Sequence, residues 1–108
     1  MDKTALLKML ENGRDNALLR LSLGTLYLND GEIASAIEHL RKAVELDPAY
    51  SAAYKLLGKA LLQAGDTDAA ESVWQSGLMV AEGRGDMQAV REITVFLKRI
   101  AKARKAEE

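Results

Sequence analysis

Residues 17–50, ALLRLSLGTLYLNDGEIASAIEHLRKAVELDPAY, and residues 51–84, SAAYKLLGKALLQAGDTDAAESVWQSGLMVAEGR, align at an offset of 34 without a gap. The offset superimposes Leu23 on Leu57, Gly24 on Gly58, Leu28 on Leu62, Gly31 on Gly65 and Ala36 on Ala70. Further pairs keep their chemistry: Leu40 falls on Trp74, Ala43 on Gly77 and Glu32 on Asp66. Self-similarity at this period marks a helix-turn-helix unit that buries its apolar side by stacking on a copy of itself.

Each unit reads as two helices. Leu19, Leu23, Leu26 and Tyr27 form one stripe at helical spacing before the Asp30-Gly31 turn. Ile33, Ala36, Ile37, Leu40, Ala43 and Val44 form a second stripe, which Asp47-Pro48 stops because proline disfavours helix in the residue before it. In the second unit the helices run from Ser51 to Ala64 and from Thr67 to Glu82, with Asp66 or Thr67 able to cap the later one. Glycine inside a helix costs about 1 kcal/mol against alanine, so its return at Gly24 and Gly58 implies a gain from close helix contact.

Outward from the two units, Leu6, Leu7, Met9 and Leu10 supply an N-terminal lid, and Val90, Ile93, Phe96, Leu97 and Ile100 a C-terminal one. The 34-residue phase would place Arg91 and Glu92 at buried positions of the last helix, which the cost of burying charge forbids. A two-residue shift brings Ile93 and Leu97 inward, and the sequence predicts a lengthened turn at Gly83-Arg84-Gly85 to absorb it. The expected organisation is one all-α domain over 1–108 with about six helices: an N-terminal cap over 1–14, repeats over 17–50 and 51–84, and a C-terminal cap over 86–105.

Composition agrees with a packed helical domain. The chain has 108 residues, 48% hydrophobic and 5% aromatic, with one Pro, and 15 Lys and Arg against 16 Asp and Glu. The lack of Cys and the single His remove thiol nucleophiles, disulfides and zinc sites built on them. No catalytic constellation, cofactor or metal site is expected. No apolar run approaches the roughly 20 residues of a membrane span, and the first residues lack the basic start and apolar stretch of a signal peptide, so a cytoplasmic protein is expected.

Residues 17–84 resemble two tandem tetratricopeptide repeats. In the first, Leu23, Gly24, Tyr27, Gly31, Ala36, Leu40, Ala43 and Pro48 match the motif, and Arg20 departs where the family prefers an aromatic. In the second, Tyr54, Leu57, Gly58, Gly65, Ala70 and Trp74 match, while Leu61, Gly77 and Glu82 stand where it prefers Tyr, Ala and Pro. The resemblance implies an α-α superhelix of antiparallel helix pairs with a concave face that usually binds peptides or other proteins. It places on that face Leu18, Leu21, Thr25, Leu28 and Asn29 from the first repeat, and Ala52, Lys55, Lys59, Leu62 and Gln63 from the second. From the shifted last helix it adds Gln88, Arg91, Val95, Lys98 and Arg99. The carboxylate clamp of some co-chaperone members does not carry over, because Leu21, Thr25 and Leu56 occupy its positions.

The expected function is a non-enzymatic interaction module or scaffold. Its partner would be another protein or a peptide, with an apolar anchor near Leu18, Leu21 and Leu28 and an acidic group near Lys55, Lys59 and Arg91. Leu18, Leu21 and Leu28 also make the first repeat helix apolar on a second side, which the N-terminal helix, a second copy of the chain or a ligand would cover. Nucleic-acid binding through the basic last helix is disfavoured. Residues 85–108 carry six positive against four negative charges, a modest surplus, and no basic aromatic surface accompanies them. His39, beside Glu38 and Arg41, reads as a surface residue, and Arg84-Gly85-Asp86 as a helix stop followed by a cap.

Overall fold

A computed structural model describes residues 2–108; Met1, the first residue of the expected N-terminal cap, lies outside them. The order is α1 (Lys3–Glu11), α2 (Ala17–Asn29), α3 (Ile33–Leu46), α4 (Ser51–Gln63), α5 (Thr67–Arg84) and α6 (Met87–Ala106), with no strand among the described residues.

Local chemistry sets the helix ends. Asp2, Asn16, Asp66 and Asp86 each accept a hydrogen bond from a backbone N–H three residues on, at 2.8–3.2 Å, and so cap α1, α2, α5 and α6. The two repeats end their first helices identically. Gly31 and Gly65 take left-handed φ values of +77° and +86°, and the next residue's N–H reaches back to the carbonyl of Tyr27 or Leu61. This is the closure a glycine permits at a helix C-terminus.

Consecutive helices pack antiparallel in chain order, α2 on α3, α3 on α4, α4 on α5 and α5 on α6, with α1 on the outer side of α2. The close approaches expected from the small residues are present. A β-carbon at Gly24 would lie 2.5 Å from Leu40 Cγ, one at Gly58 would fall inside the Trp74 indole, and one at Gly77 would lie 2.6 Å from Tyr54 Cβ. Ala36, Ala43, Ala60 and Ala70 are fully buried. The main core joins Leu40, Leu57, Leu61 and Trp74 to Ile93 and Ile100 of α6. Ile93 is fully buried and Arg91 exposed, which is the two-residue phase shift.

The means of the shift differs from expectation. Residues 83–85 do not form a lengthened turn: α5 continues through Gly83 to Arg84, 18 residues against 14 in α3, and only Gly85 and Asp86 stand before α6. No proline follows α5, whereas Pro48 follows α3, so the helix runs on until Gly85 takes φ +71°.

Candidate functional site

Helix α2 is apolar on two sides, and the packing divides them. Leu6, Leu7, Met9 and Leu10 of α1 pack against Leu19, Leu23, Leu26 and Tyr27. The N-terminal helix therefore covers the stripe that periodicity marked first. On the second side, Leu21 and Leu28 pack against the main core, while Leu18 stays 64% exposed.

A cleft of about 530 Å³ opens between α1 and α2, lined by Leu6, Met9, Asn16, Leu18, Leu19, Leu21, Ser22, Thr25 and Leu26. Among the described residues no charged side chain lines it. The hydroxyls of Ser22 and Thr25 donate to the carbonyls of Leu18 and Leu21 at 2.9 and 2.8 Å, so the helix itself uses their polarity.

A second cleft, of about 430 Å³, lies between the C-terminal half of α4, the start of α5 and the second half of α6. Lys59, Leu62 and Gln63, which the resemblance put on the concave face, line it together with Trp74, Phe96, Arg99 and Ile100. Lys59 Nζ stands 5.5 Å from the centre of the Phe96 ring, whose other neighbour is the Trp74 indole at 4.9 Å.

The remaining expected site residues lie elsewhere. Lys55 donates to Glu92 Oε2 at 3.1 Å, which holds the Glu92 carboxyl below its usual range. Its charge is thus met from within the chain. Arg91, Val95 and Lys98 are exposed on α6, and Asn29 is exposed at the end of α2; with Leu28 they line neither cleft. The structure thus brings Leu18, Leu21 and Thr25 together at one end and Lys59, Leu62 and Gln63 at the other. Leu6, Met9 and Ser22 on one side, and Phe96, Ile100 and Arg104 on the other, were not among the expected residues. The signal for Leu6, Met9, Phe96 and Ile100 was the lid pattern of the two end helices, read only as core; Ser22 and Arg104 stand outside that pattern.

His39 is a correction. It is buried, 8% exposed, and not a surface residue: its ring stacks parallel on Tyr27 at 5.3 Å, and Arg20 Nη1 lies 3.0 Å from its Nδ1. Arg20 also grips Asp15 with two hydrogen bonds of 2.8 and 3.0 Å. Burial, then the Arg20 charge, pushes the His39 imidazole below its ordinary pKa. Arg20 stands where the resemblance expected an aromatic, and this polar chain fills the position instead.

Among the described residues no helix is long and apolar enough to cross a membrane. Comparison with known proteins gives a consistent picture. A family model described as Tetratricopeptide repeat matches residues 27–92. A TPR repeat-containing protein of Pseudomonas aeruginosa is 53% identical over 97 residues, covering 90% of this chain and 92% of the relative. A Bordetella parapertussis protein with a solution structure superimposes at a TM-score of 0.82 with 45% identity, over 95% of this chain and 91% of that one. The crystal structure of MamA shares the fold at a TM-score of 0.57 and 22% identity, over 86% of this chain and 62% of that one. With the 34-residue hairpins, the glycine-centred crossings and these matches together, the chain belongs to the tetratricopeptide repeat family.

Proposed function

We propose that this chain is a non-enzymatic interaction module that holds a peptide or a segment of another protein in its concave groove, where α1 and α2 open one cleft and α4, α5 and α6 another. The family generally mediates contacts between proteins, which supports the class of function. The observation that carries the reading is the uncharged cleft between α1 and α2, with Leu18 64% exposed at its side. An apolar side chain left in water beside a preformed apolar hollow gains free energy when a partner covers both. A cytoplasmic setting belongs to the same reading.

Titrating short amphipathic peptides into the isotope-labelled chain should move the amide signals of Leu18, Leu21 and Thr25, and Leu18→Glu should abolish those movements. Spectra unchanged across the peptide set would refute the reading. The exposure of Leu18 also favours a second reading, in which two copies bury this face against each other. Sedimentation would then show a dimer that Leu18→Glu dissociates, and a monomer at high concentration excludes it.

A further inference from the structure

The second cleft differs from the first in charge. At its centre Leu62, 41% exposed, stands beside Phe96 and Ile100. Three cations and two carboxylates line the same cleft, Lys59 from α4, Arg99 and Arg104 from α6, with Asp68 and Glu107 at its rim; of the cations, Lys59 and Arg99 make no ion pair among the described residues. Two neighbouring cations are matched internally. Lys55 is held by Glu92, and Arg104 by Glu71 at 2.7 Å and by Asp68. Glu92, Glu71 and Asp68 are therefore engaged, Glu107 at the rim is in no ion pair among the described residues, and Lys59 is left over the Phe96 ring. The exposed Lys98 and Lys102 add positive charge along the same helix.

From this geometry we infer that the cleft takes an acidic segment of a partner protein, whose carboxylate pairs with Lys59 and Arg99 while a neighbouring apolar side chain seats on Leu62, Phe96 and Ile100. The inference rests on the proposed interaction function and names the partner chemistry at one end of it. A carboxylate between an ammonium and a guanidinium gains charge-assisted hydrogen bonds. The apolar floor decides the class of occupant. A nucleic-acid strand would use the cations and stack a base on Phe96 but leave the aliphatic Leu62 and Ile100 uncovered, whereas an acidic, apolar protein segment uses both halves of the cleft.

The test uses the full chain, isotope-labelled, with a short capped peptide in which Leu and Glu alternate. The same peptide with Gln for Glu, and oligothymidine, serve as comparisons. The Leu-Glu peptide should move the amides of Leu62, Phe96 and Arg99, with an affinity that falls as salt is raised. Replacing Glu by Gln in the peptide should weaken binding roughly tenfold, and so should Lys59→Gln combined with Arg99→Gln in the protein. Both side chains line the surface, so circular dichroism should show the variant folded, and the peptide comparison stands without it. Equal affinity for the Glu and Gln peptides overturns the inference, as does tighter binding of oligothymidine at the same amides. Peptide-induced shifts confined to Leu18, Leu21 and Thr25 overturn it while leaving the proposed function standing. Shifts at neither cleft overturn it too, and the interaction reading then stands or falls on the amphipathic set and Leu18→Glu.

Discussion

The hairpin of α2 and α3 and the hairpin of α4 and α5 share a period, a turn and a glycine at the crossing, yet they fill their interiors with different chemistry. In the second, Trp74 lies over Gly58 and sends its indole N–H to the Lys55 carbonyl at 3.0 Å, and Tyr54 lies under Gly77. In the first, Leu40 lies over Gly24, Ala43 replaces the second glycine, and Arg20 replaces the tyrosine and turns to Asp15 and His39. The repeat thus fixes where two backbones touch, and leaves open whether the space beside the contact is filled by a dry aromatic or by a polar chain whose members satisfy one another. Two fillings of equal fit serve one backbone because the interior asks only for volume and for paired polar groups.

That contrast can be broken most forcefully at the indole. Trp74→Ala should cost about 4 kcal/mol in chemical denaturation and Leu40→Ala about 3, because the larger side chain leaves the larger void. Equal losses would mean that the surroundings collapse around the missing indole. Next come the crossings. Gly58→Ala drives a methyl into a rigid ring and should cost about 3 kcal/mol, whereas at Gly24 the flexible end of Leu40 can give way and alanine recovers helix propensity, leaving a loss near 1 kcal/mol. A stabilised Gly58→Ala would show that the two helices part more easily than their packing implies.

The polar filling is tested by a double-mutant cycle on Asp15 and Arg20, with an expected coupling of about 1 kcal/mol, since the pair is only partly screened from water. No coupling would reduce the chain to ornament on Tyr27. The smallest effect is the pH response. His39 binds its proton less readily folded than unfolded, so as pH falls below its ordinary value of 6.5 the unfolded chain takes up the proton first and stability declines. The decline levels off once pH has passed the lowered folded value. Asp15, Asp86 and Glu92 are shifted down instead, and their contribution is lost only as pH falls through the lower carboxylate range. Thermal unfolding followed from about pH 8 to about pH 5 therefore isolates the histidine, whose ordinary value lies in that window. His39→Gln should flatten the curve; an unchanged slope would assign it to another group.

Legibility followed the range of the interaction. The helices, the Gly31 and Gly65 closures, the Asp86 cap and the phase of Ile93 could be read because each depends on residues a turn or two apart, while the α5 cap was left between Asp66 and Thr67 and falls to Asp66. The extension of α5 was missed for a reason of the same kind. Two glycines near its end suggested a loop, but Gly83 tolerates helix well enough while packing continues to Ala81. Of the candidate site, the residues along one helix were legible as sets. Their division between two clefts was not, since it depends on how far α1 and α6 reach across their neighbours.

By itself the sequence determined that this protein is a stack of helix pairs meeting at Gly24 and Gly58, because a repeated period and a repeated small residue leave few other ways to bury the apolar stripes. Tertiary structure alone decided which side of α2 the first helix covers, that Glu92 takes Lys55 while Lys59 has no ion pair among the described residues, and that His39 lies inside. Those outcomes join groups far apart in sequence and turn on how each helix is rotated against its neighbours. The free-energy differences among such rotations come from packing and pairing that exist only once the neighbouring helix is in place.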